Sequence, residues 1–232
     1  MTAAPDTGTG TRAPWRIALP RDTPSRALLA AFGLALLADL GSLAAGSGTG
    51  HLLFKPLLMP LLVAYTVVRG GPRLLVAALL FGWGGDLFLL SEAEWAFLVG
   101  MGSFALGHLC YLTLFGRCRT PRPSSPLYAL ALGTAVVLLW PDLPADLRIP
   151  VAGYALLLTA MAWRSCGVGR LAAVGGGLFL VSDLIIATEV ADWSQPPVPD
   201  VWIMLLYGVG QLLLTLGVLA RADTAAGAAR TG

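Results

Sequence analysis

Two aspartates in apolar, glycine-rich stretches are the residues of this sequence best suited to chemistry. Asp86 lies within residues 81–90, and Asp183 lies much later in the chain, within residues 175–186. A carboxylate inside a bilayer costs about 3 kcal/mol on insertion scales, so a residue of this kind usually has a function. Two carboxyl groups that share a low-dielectric site do not both ionise, and one keeps its proton. We therefore predict that Asp86 and Asp183 face each other as a catalytic acid–base pair.

Further polar side chains interrupt the apolar sequence and extend this candidate site. The residues expected to bind substrate are Lys55, His108, Tyr111, Ser182, Tyr207, Gln211 and Asp39. Five of them have a structural alternative, because polar residues also hydrogen-bond between helices in membranes. Lys55 with Asp86 would form an ion pair that holds two helices together, and Asp39 would reach interfacial water. His108 would bridge two helices, as would the serine and the glutamine.

The composition indicates an integral membrane protein. Of the 232 residues, 56% are hydrophobic and 12% are charged, against about 25% charged in soluble domains. The net charge of +2 is too small to indicate a nucleic-acid partner. Residues 1–25 are rich in Thr, Pro, Gly and Arg and lack the apolar core of a signal peptide, so we expect a disordered cytoplasmic N-terminus. The Ala-, Gly- and Thr-rich residues 221–232 are expected to form a disordered cytoplasmic tail.

Apolar stretches of about 20 residues, the length that crosses a bilayer, predict the fold class. We expect an all-α membrane protein with eight transmembrane helices in residues 26–220. The predicted spans are 26–45, 51–68, 72–90, 95–115, 126–141, 149–164, 170–190 and 200–220. The connections between them are short and contain glycine and proline. No separate soluble domain fits between the spans.

The basic residues predict the orientation of these spans. Of the 15 Lys and Arg residues, 13 precede the first span, follow the last, or lie in the connections between spans two and three, four and five, and six and seven. Because positively charged loops stay in the cytoplasm, both termini are predicted to be cytoplasmic. A rise of about 1.5 Å per residue then puts Lys55 in one layer with Asp39, Asp86 and Asp183, about 6–9 Å below the outer surface. His108 and Gln211 lie deeper, each one turn from a tyrosine, so we predict a buried polar pocket that opens outward or into the outer leaflet.

Short fragments of the sequence occur in a recognisable order along nearly the whole membrane part. They are Lys55-Pro56 with Leu57-Leu58, Gly85-Asp86 with Leu89-Leu90, Gly102 with Phe104, His108 and Tyr111, Pro150-Val151 with Tyr154 and Met161, Gly177 with Phe179, Ser182-Asp183 and Ala187, and Tyr207 with Gln211. With this set the chain resembles the YhhN-type, lysoplasmalogenase-like integral membrane proteins. The resemblance leaves both terminal segments and Asp39 unmatched.

The resemblance implies a fold and an activity. It implies eight spans and a lysophospholipid substrate in a lipid bilayer. The implied reaction is hydrolysis of the vinyl ether bond of a lysoplasmalogen, which gives a fatty aldehyde and a glycerophospho-ethanolamine or -choline. The Ala-, Leu- and Arg-rich composition looks bacterial, so we expect a multi-pass protein of a bacterial cell membrane.

Cleavage of a vinyl ether suits a pair of carboxyl groups. Protonation of a carbon gives an oxocarbenium-like ion, water adds to form a hemiacetal, and the hemiacetal collapses to aldehyde and alcohol. One carboxylic acid donates the proton, and one carboxylate stabilises the cation or activates the water, as paired acids do in glycoside hydrolysis. The sequence leaves open whether Asp86 or Asp183 is the acid, although the aspartate farther from Lys55 is the better candidate. It also leaves open whether Lys55 favours the charged form of the neighbouring aspartate or binds the substrate phosphate.

A small transporter or proton-coupled carrier is the main alternative, because intramembrane Asp, Lys and His residues also mark transport pathways. Beyond the two glycine-rich aspartate segments, the sequence halves show no repeat that would support it. No metal and no other cofactor is expected, since the chain has two histidines and hydrolytic zinc sites take about three protein ligands, mostly His. The sequence has no Gly-x-Ser-x-Gly motif of the kind that serine hydrolases use.

Overall fold

A computed structural model describes residues 22–116, 118, 120 and 125–231, and this part of the chain forms eight α-helices and no strand. The helices are α1 (Thr23–Ala44), α2 (Gly48–Val68), α3 (Arg73–Phe88), α4 (Glu94–Phe115), α5 (Ser125–Leu139), α6 (Arg148–Ser165), α7 (Arg170–Val190) and α8 (Pro199–Thr231). The all-α class is confirmed, and apart from the end of α8 every helix boundary lies close to the boundary of a predicted span. Of the N-terminal segment predicted to be disordered, residues 1–21 lie outside the described residues. The rest of it caps and begins α1, which starts at Thr23.

Five helices are long and apolar enough to cross a membrane by length and composition: α1, α2, α4, α7 and α8. The helix α5 is apolar but has 15 residues, and α3 has 16. This pattern indicates a multi-pass membrane protein. That all eight helices span the bilayer, with both termini in the cytoplasm, stays a prediction.

Hydrogen bonds at the helix ends produce the short connections. The Asp22 side chain accepts a hydrogen bond from the backbone N–H of Ser25 at 3.0 Å and caps the start of α1. After α1 and α2 the chain turns at Gly46 and Gly70, whose φ angles are 68° and 63°. These glycines and the residues after them donate backbone hydrogen bonds to carbonyls of the preceding helical turn. Glycine adopts this left-handed ending at the lowest steric cost, which explains why both connections contain it.

Seven of the helices form a closed ring, and α5 lies outside it. The order around the ring is α1, α2, α3, α4, α6, α7 and α8, with α8 packed against α1. Because α8 also contacts α2 and α3, it is the most central helix. The helix α5 packs mainly against α6 and buries a single residue, Leu139. This order places α2, α3, α7 and α8, which carry most candidate site residues, around a common space.

Glycines allow the backbones of α7 and α8 to approach each other. A Cβ atom on Gly175 would lie 2.7 Å from the carbonyl oxygen of Gly210 and 2.7 Å from the backbone nitrogen of Leu214. A Cβ atom on Gly177, two residues later, would meet no atom within 4 Å. Gly175 is therefore required for close packing of the two helices, whereas Gly177 is not.

We expect Gly175→Ala to lower the free energy of unfolding by about 1–3 kcal/mol, because the added methyl group collides with the backbone of α8. The matched control Gly177→Ala should leave the stability unchanged or raise it by up to about 1 kcal/mol, since alanine has the higher helix propensity. Thermal unfolding of the purified protein in detergent measures both variants. Equal melting temperatures for the two would contradict the close contact of α7 with α8.

The structure differs from the prediction of a disordered tail in residues 221–232, because α8 continues to Thr231. This segment is rich in alanine, the residue of highest helix propensity. Asp223 also accepts a hydrogen bond from the Arg69 guanidinium at 2.7 Å, which connects the extension to the end of α2. The end of the apolar pattern near residue 220 therefore did not mark the end of the helix.

Candidate functional site

Asp86 and Asp183 line one cavity of about 330 Å³, enclosed by α2, α3, α4, α6, α7 and α8. Its polar and charged lining residues are Lys55, Asp86, Tyr154, Ser182, Asp183, Glu189, Asp200 and Tyr207. The rest of the wall is apolar and includes Met101 and Phe104. The structure thus brings the two aspartates together with Lys55, although they come from three different helices. Glu189 and Asp200 lie at the end of the cavity nearest the α7–α8 connection.

Asp86 is held by side chains of α4 and α8. It is 2% exposed and accepts a hydrogen bond from the Tyr207 hydroxyl at 2.8 Å. Gln211, one turn further along α8, accepts a hydrogen bond from the Tyr111 hydroxyl at 2.7 Å. The amide nitrogen of Gln211 and the Tyr207 hydroxyl lie side by side, since a Cβ atom on Gly82 would be 3.3 Å from the first and 3.4 Å from the second. Tyr111, Gln211 and Tyr207 therefore form a connected set of polar side chains that orients the Asp86 carboxyl.

Asp183 is held by a separate series from α4 and α6. The Tyr154 hydroxyl donates a hydrogen bond to Oδ2 of Asp183, and Nε2 of His108 lies 3.1 Å from the same hydroxyl. Because a phenol has one hydrogen, and this one is directed at Asp183, His108 must donate from Nε2 while its Nδ1 keeps a lone pair. The buried Nδ1 has no hydrogen-bond partner among the described residues. The position of the imidazole thus depends on the bond to Tyr154 and on an edge-on contact with Phe179, whose ring centre is 5.0 Å away.

Lys55 is a buried cation that faces the cavity. The side chain is 7% exposed and lines the cavity together with Asp86. Among the residues that the structure describes, no carboxylate oxygen lies within the 4.0 Å of an ion pair with Lys55. The alternative of a direct structural ion pair between Lys55 and Asp86 is therefore wrong. Because no carboxylate in the described part of the chain pairs with it and it faces the cavity, Lys55 is available to an anionic ligand there.

Several residues predicted to bind substrate do not reach the cavity wall. They are His108, Tyr111, Gln211 and Asp39. The first three lie behind Tyr154 and Tyr207 and hold the side chains that line the cavity. Ser182 does border the cavity, but its hydroxyl donates a hydrogen bond to the Ile203 carbonyl at 3.0 Å and so joins α7 to α8.

Asp39 is buried and pairs with the partly exposed His51 instead of reaching interfacial water itself. Its Oδ1 lies 2.8 Å from Nδ1 of His51, across the connection of α1 and α2, and the carboxyl is fully buried. His51 is one of the two histidines of the chain, and the sequence predicted no role for it. A spacing of twelve residues that includes a turn carries no helical periodicity, so the pairing had no signal in the sequence.

Tyr154 is the residue that the predicted site lacked. It lines the cavity, bonds Asp183 and contacts His108. Its signal was a single tyrosine in the mostly apolar middle of α6, in a segment that also carries one of the family fragments. No spacing rule relates a residue of α6 to one of α7, so its partner was not predictable.

Comparison with known proteins places these residues in a family context. The YhhN family matches residues 50–218 of the chain, which include both aspartates, Lys55 and both tyrosines that bond the aspartates. No solved structure matches the chain.

The chain is also similar to curated proteins named lysoplasmalogenase. It is 38% identical to human lysoplasmalogenase TMEM86B over 151 residues, which cover 65% of this chain and 65% of that protein. The rat protein of the same name is 35% identical over 167 residues, 71% of this chain and 70% of the relative. A lysoplasmalogenase of Mycobacterium tuberculosis is 31% identical over 191 residues, 73% of this chain and 72% of the relative. The matched region thus spans slightly less than two thirds of the human protein and somewhat more of the other two.

Proposed function

Because the chain belongs to the YhhN family, as its sequence fragments predicted, we propose that it is a membrane lysoplasmalogenase. It cleaves the vinyl ether bond of a lysoplasmalogen to a fatty aldehyde and a glycerophospho-ethanolamine or -choline. The names of the human and mycobacterial relatives support this activity. One observation carries the assignment of the site: Asp86 and Asp183 line the same cavity, and each accepts a hydrogen bond from a tyrosine.

The chemistry of the reaction matches two carboxyl groups in one enclosed space. A vinyl ether breaks after protonation of a carbon, so the site needs a carboxylic acid that still carries its proton. The resulting oxocarbenium-like cation then needs a carboxylate that stabilises it and accepts a proton from the attacking water. Tyr207 and Tyr154 hold the two carboxyls by one hydrogen bond each, which leaves their other oxygens for substrate and water.

The membrane supplies the surroundings that this chemistry needs. We propose that all eight helices span a bacterial cell membrane, with both termini in the cytoplasm and the cavity near the outer surface. The arginines at the ends of the helices support this orientation, and the mycobacterial relative supports a bacterial setting. Most of the remaining lining residues are apolar, which lowers the polarity of the surroundings of the two carboxyls.

Lys55 binds the phosphate of the substrate. It is the buried cation of the cavity, and it lies on the wall shared with Asp86. Glu189 and Asp200 line the same cavity nearer the α7–α8 connection, where their carboxylates suit the ammonium group of an ethanolamine or choline. The negative phosphate of the headgroup thereby lies at the Lys55 ammonium, and its positive ammonium group lies at the carboxylates of Glu189 and Asp200.

We expect Lys55→Gln to raise KM for a lysoplasmalogen by about 10- to 150-fold, since a lost hydrogen bond to a charged group costs about 1.5–3 kcal/mol. The value of kcat should change little, because phosphate binding is the same in the ground state and the transition state. Lys55→Arg, which keeps the charge, serves as the control and should retain most of the affinity. Steady-state kinetics separates the two roles considered for Lys55: a fall in kcat at constant KM would show that it acts on Asp86 and not on the phosphate.

The activity itself is tested with the purified protein in detergent. Incubation with a lysoplasmalogen should release free fatty aldehyde in proportion to the protein added. A carrier would release no aldehyde and would show activity only in sealed vesicles. Absence of aldehyde from a folded preparation would contradict the proposed function.

A further inference from the structure

A second cavity, of about 110 Å³, meets the first one at Asp183. It lies between α5, α6 and α7, and its wall is hydrocarbon except near Tyr154, Thr159 and Asp183. Four residues line both cavities: Val151, Tyr154, Asp183 and Ala187. Asp86 and Lys55 line the larger, polar cavity and not the smaller one. The two aspartates therefore differ in their surroundings, because Asp183 alone stands at the junction.

The apolar cavity continues toward the outer face of α5. A groove between α5 and α7 shares four of its lining residues: Ala131, Ala135, Leu139 and Leu184. The outer wall of the groove is formed by exposed leucines of α5: Leu127, Leu130 and Leu138. Because α5 lies outside the ring of the other helices and buries one residue, only hydrocarbon side chains of the described residues, shared by the groove and the apolar cavity, lie between the protein surface and the cavity that reaches Asp183.

We propose that this apolar cavity binds the part of the alkenyl chain next to the vinyl ether, with the rest of the chain in the adjoining groove, which places the vinyl ether at Asp183 and makes Asp183 the proton donor. The proposal rests on the proposed lysoplasmalogenase function. A lysoplasmalogen has an apolar chain and a polar headgroup, and the vinyl ether joins them. With the chain in the apolar cavity and the headgroup beside Lys55, the joining bond lies where the two cavities meet. The chain carbons of the double bond are then next to Asp183, and the headgroup side faces Asp86.

The reaction follows from this placement. Asp183 transfers its carboxyl proton to the double-bond carbon that is not bonded to oxygen, and the π electrons form the new C–H bond. Positive charge develops on the carbon bonded to oxygen; water adds there and gives a proton to Asp86, which yields the hemiacetal. On collapse, the hemiacetal hydroxyl returns a proton to Asp183. Asp86 gives its proton to the glycerol oxygen as the C–O bond breaks, so both carboxyls end in their starting states.

The chain site is tested by photo-crosslinking of the full-length protein. The probe is a lysophosphatidylcholine whose saturated chain is ether-linked and carries a diazirine, and labelled residues are mapped by mass spectrometry. We expect the label on residues of α5, α6 and α7 that line the apolar cavity. Label confined to α1–α4 or α8, or no label, would overturn the proposal. Because a saturated ether is not cleaved, the result does not depend on whether the protein is a lysoplasmalogenase.

A matched pair of variants on α6 gives a second test. Ala155 lines the apolar cavity, whereas its neighbour Leu156 is exposed and lines neither cavity. Ala155→Phe fills the cavity and should lower labelling and kcat/KM for a long-chain lysoplasmalogen by about tenfold or more, while Leu156→Phe leaves both unchanged. If Ala155→Phe does not fold, Ala155→Leu replaces it and should give a smaller loss of labelling and of kcat/KM. Equal values for the Ala155 and Leu156 variants would overturn the chain assignment.

The donor assignment is tested by rescue with azide. Azide adds to the oxocarbenium carbon without giving up a proton, so it replaces the water that Asp86 activates but does not replace the proton that Asp183 donates. Asp86→Asn with azide should therefore consume lysoplasmalogen faster than without it and form an azido ether. Asp183→Asn should gain nothing. Rescue of Asp183→Asn, of both variants or of neither would contradict the assignment.

Discussion

Asp86→Asn and Asp183→Asn should each lower kcat for lysoplasmalogen cleavage by about 10²- to 10⁴-fold, the contribution typical of one general acid or base. Asparagine has nearly the shape of aspartate and still accepts a hydrogen bond from Tyr207 or Tyr154, so the helices around the cavity remain packed. It cannot donate or accept the proton that the reaction requires. Aldehyde release by the purified variants measures the loss, and thermal unfolding of the same preparations shows that the fold is kept.

Asp192→Asn is the matched control for these two variants. Asp192 is exposed, lies in the connection of α7 and α8, and has a φ of 57°, a conformation that asparagine tolerates as well as aspartate. This variant should therefore keep full activity and stability. Full activity of both cavity variants would exclude the aspartate mechanism even if the protein cleaves lysoplasmalogens.

Tyr154→Phe should lower kcat by about 10- to 100-fold and change KM little. The variant removes the hydrogen bond to Asp183 and leaves Nε2 of His108 buried without a partner, and each such loss costs about 1–3 kcal/mol. Asp183 is then no longer fixed toward the substrate, so the loss falls on the chemical step. Steady-state kinetics separates this positioning role from substrate binding.

Tyr128→Phe provides the comparison for Tyr154→Phe. Tyr128 lies on α5, where its hydroxyl contacts the Cys166 sulfur at 3.7 Å, and it lines neither cavity. We expect its kcat to equal that of the wild type. Suppose that both tyrosine variants lose the same stability and that kcat per folded molecule equals the wild-type value in both. Tyr154 then has a structural role alone.

The helices were predictable because each property that defines them is local. Apolar length and the glycines at 46 and 70 mark most ends of α1 to α7. The end of α8 was missed because an alanine-rich segment stays helical without an apolar face. The position of α5 outside the ring was also not predictable, since its sequence is as apolar as that of helices inside the ring.

The sequence predicts how deep each polar side chain of the site lies along its helix, but not which way that side chain faces. Asp86, Asp183 and Lys55 were expected at a similar depth, and the structure places all three on one cavity. Rotation of each helix about its axis decides which side chains face inward, and the sequence does not fix that angle. This is why Gln211 was expected in the pocket but lies behind Tyr207, and why Tyr154 was left out.

The central claim is that Asp86 and Asp183 act together on one bound lipid. The most direct test is an experimental structure of the full chain with an uncleavable, ether-linked lysophospholipid. We predict that the ether oxygen lies between the two carboxyls, with the phosphate at Lys55 and the hydrocarbon chain directed toward α5. Carboxyls that face separate compartments, or a lipid bound away from both of them, would contradict it.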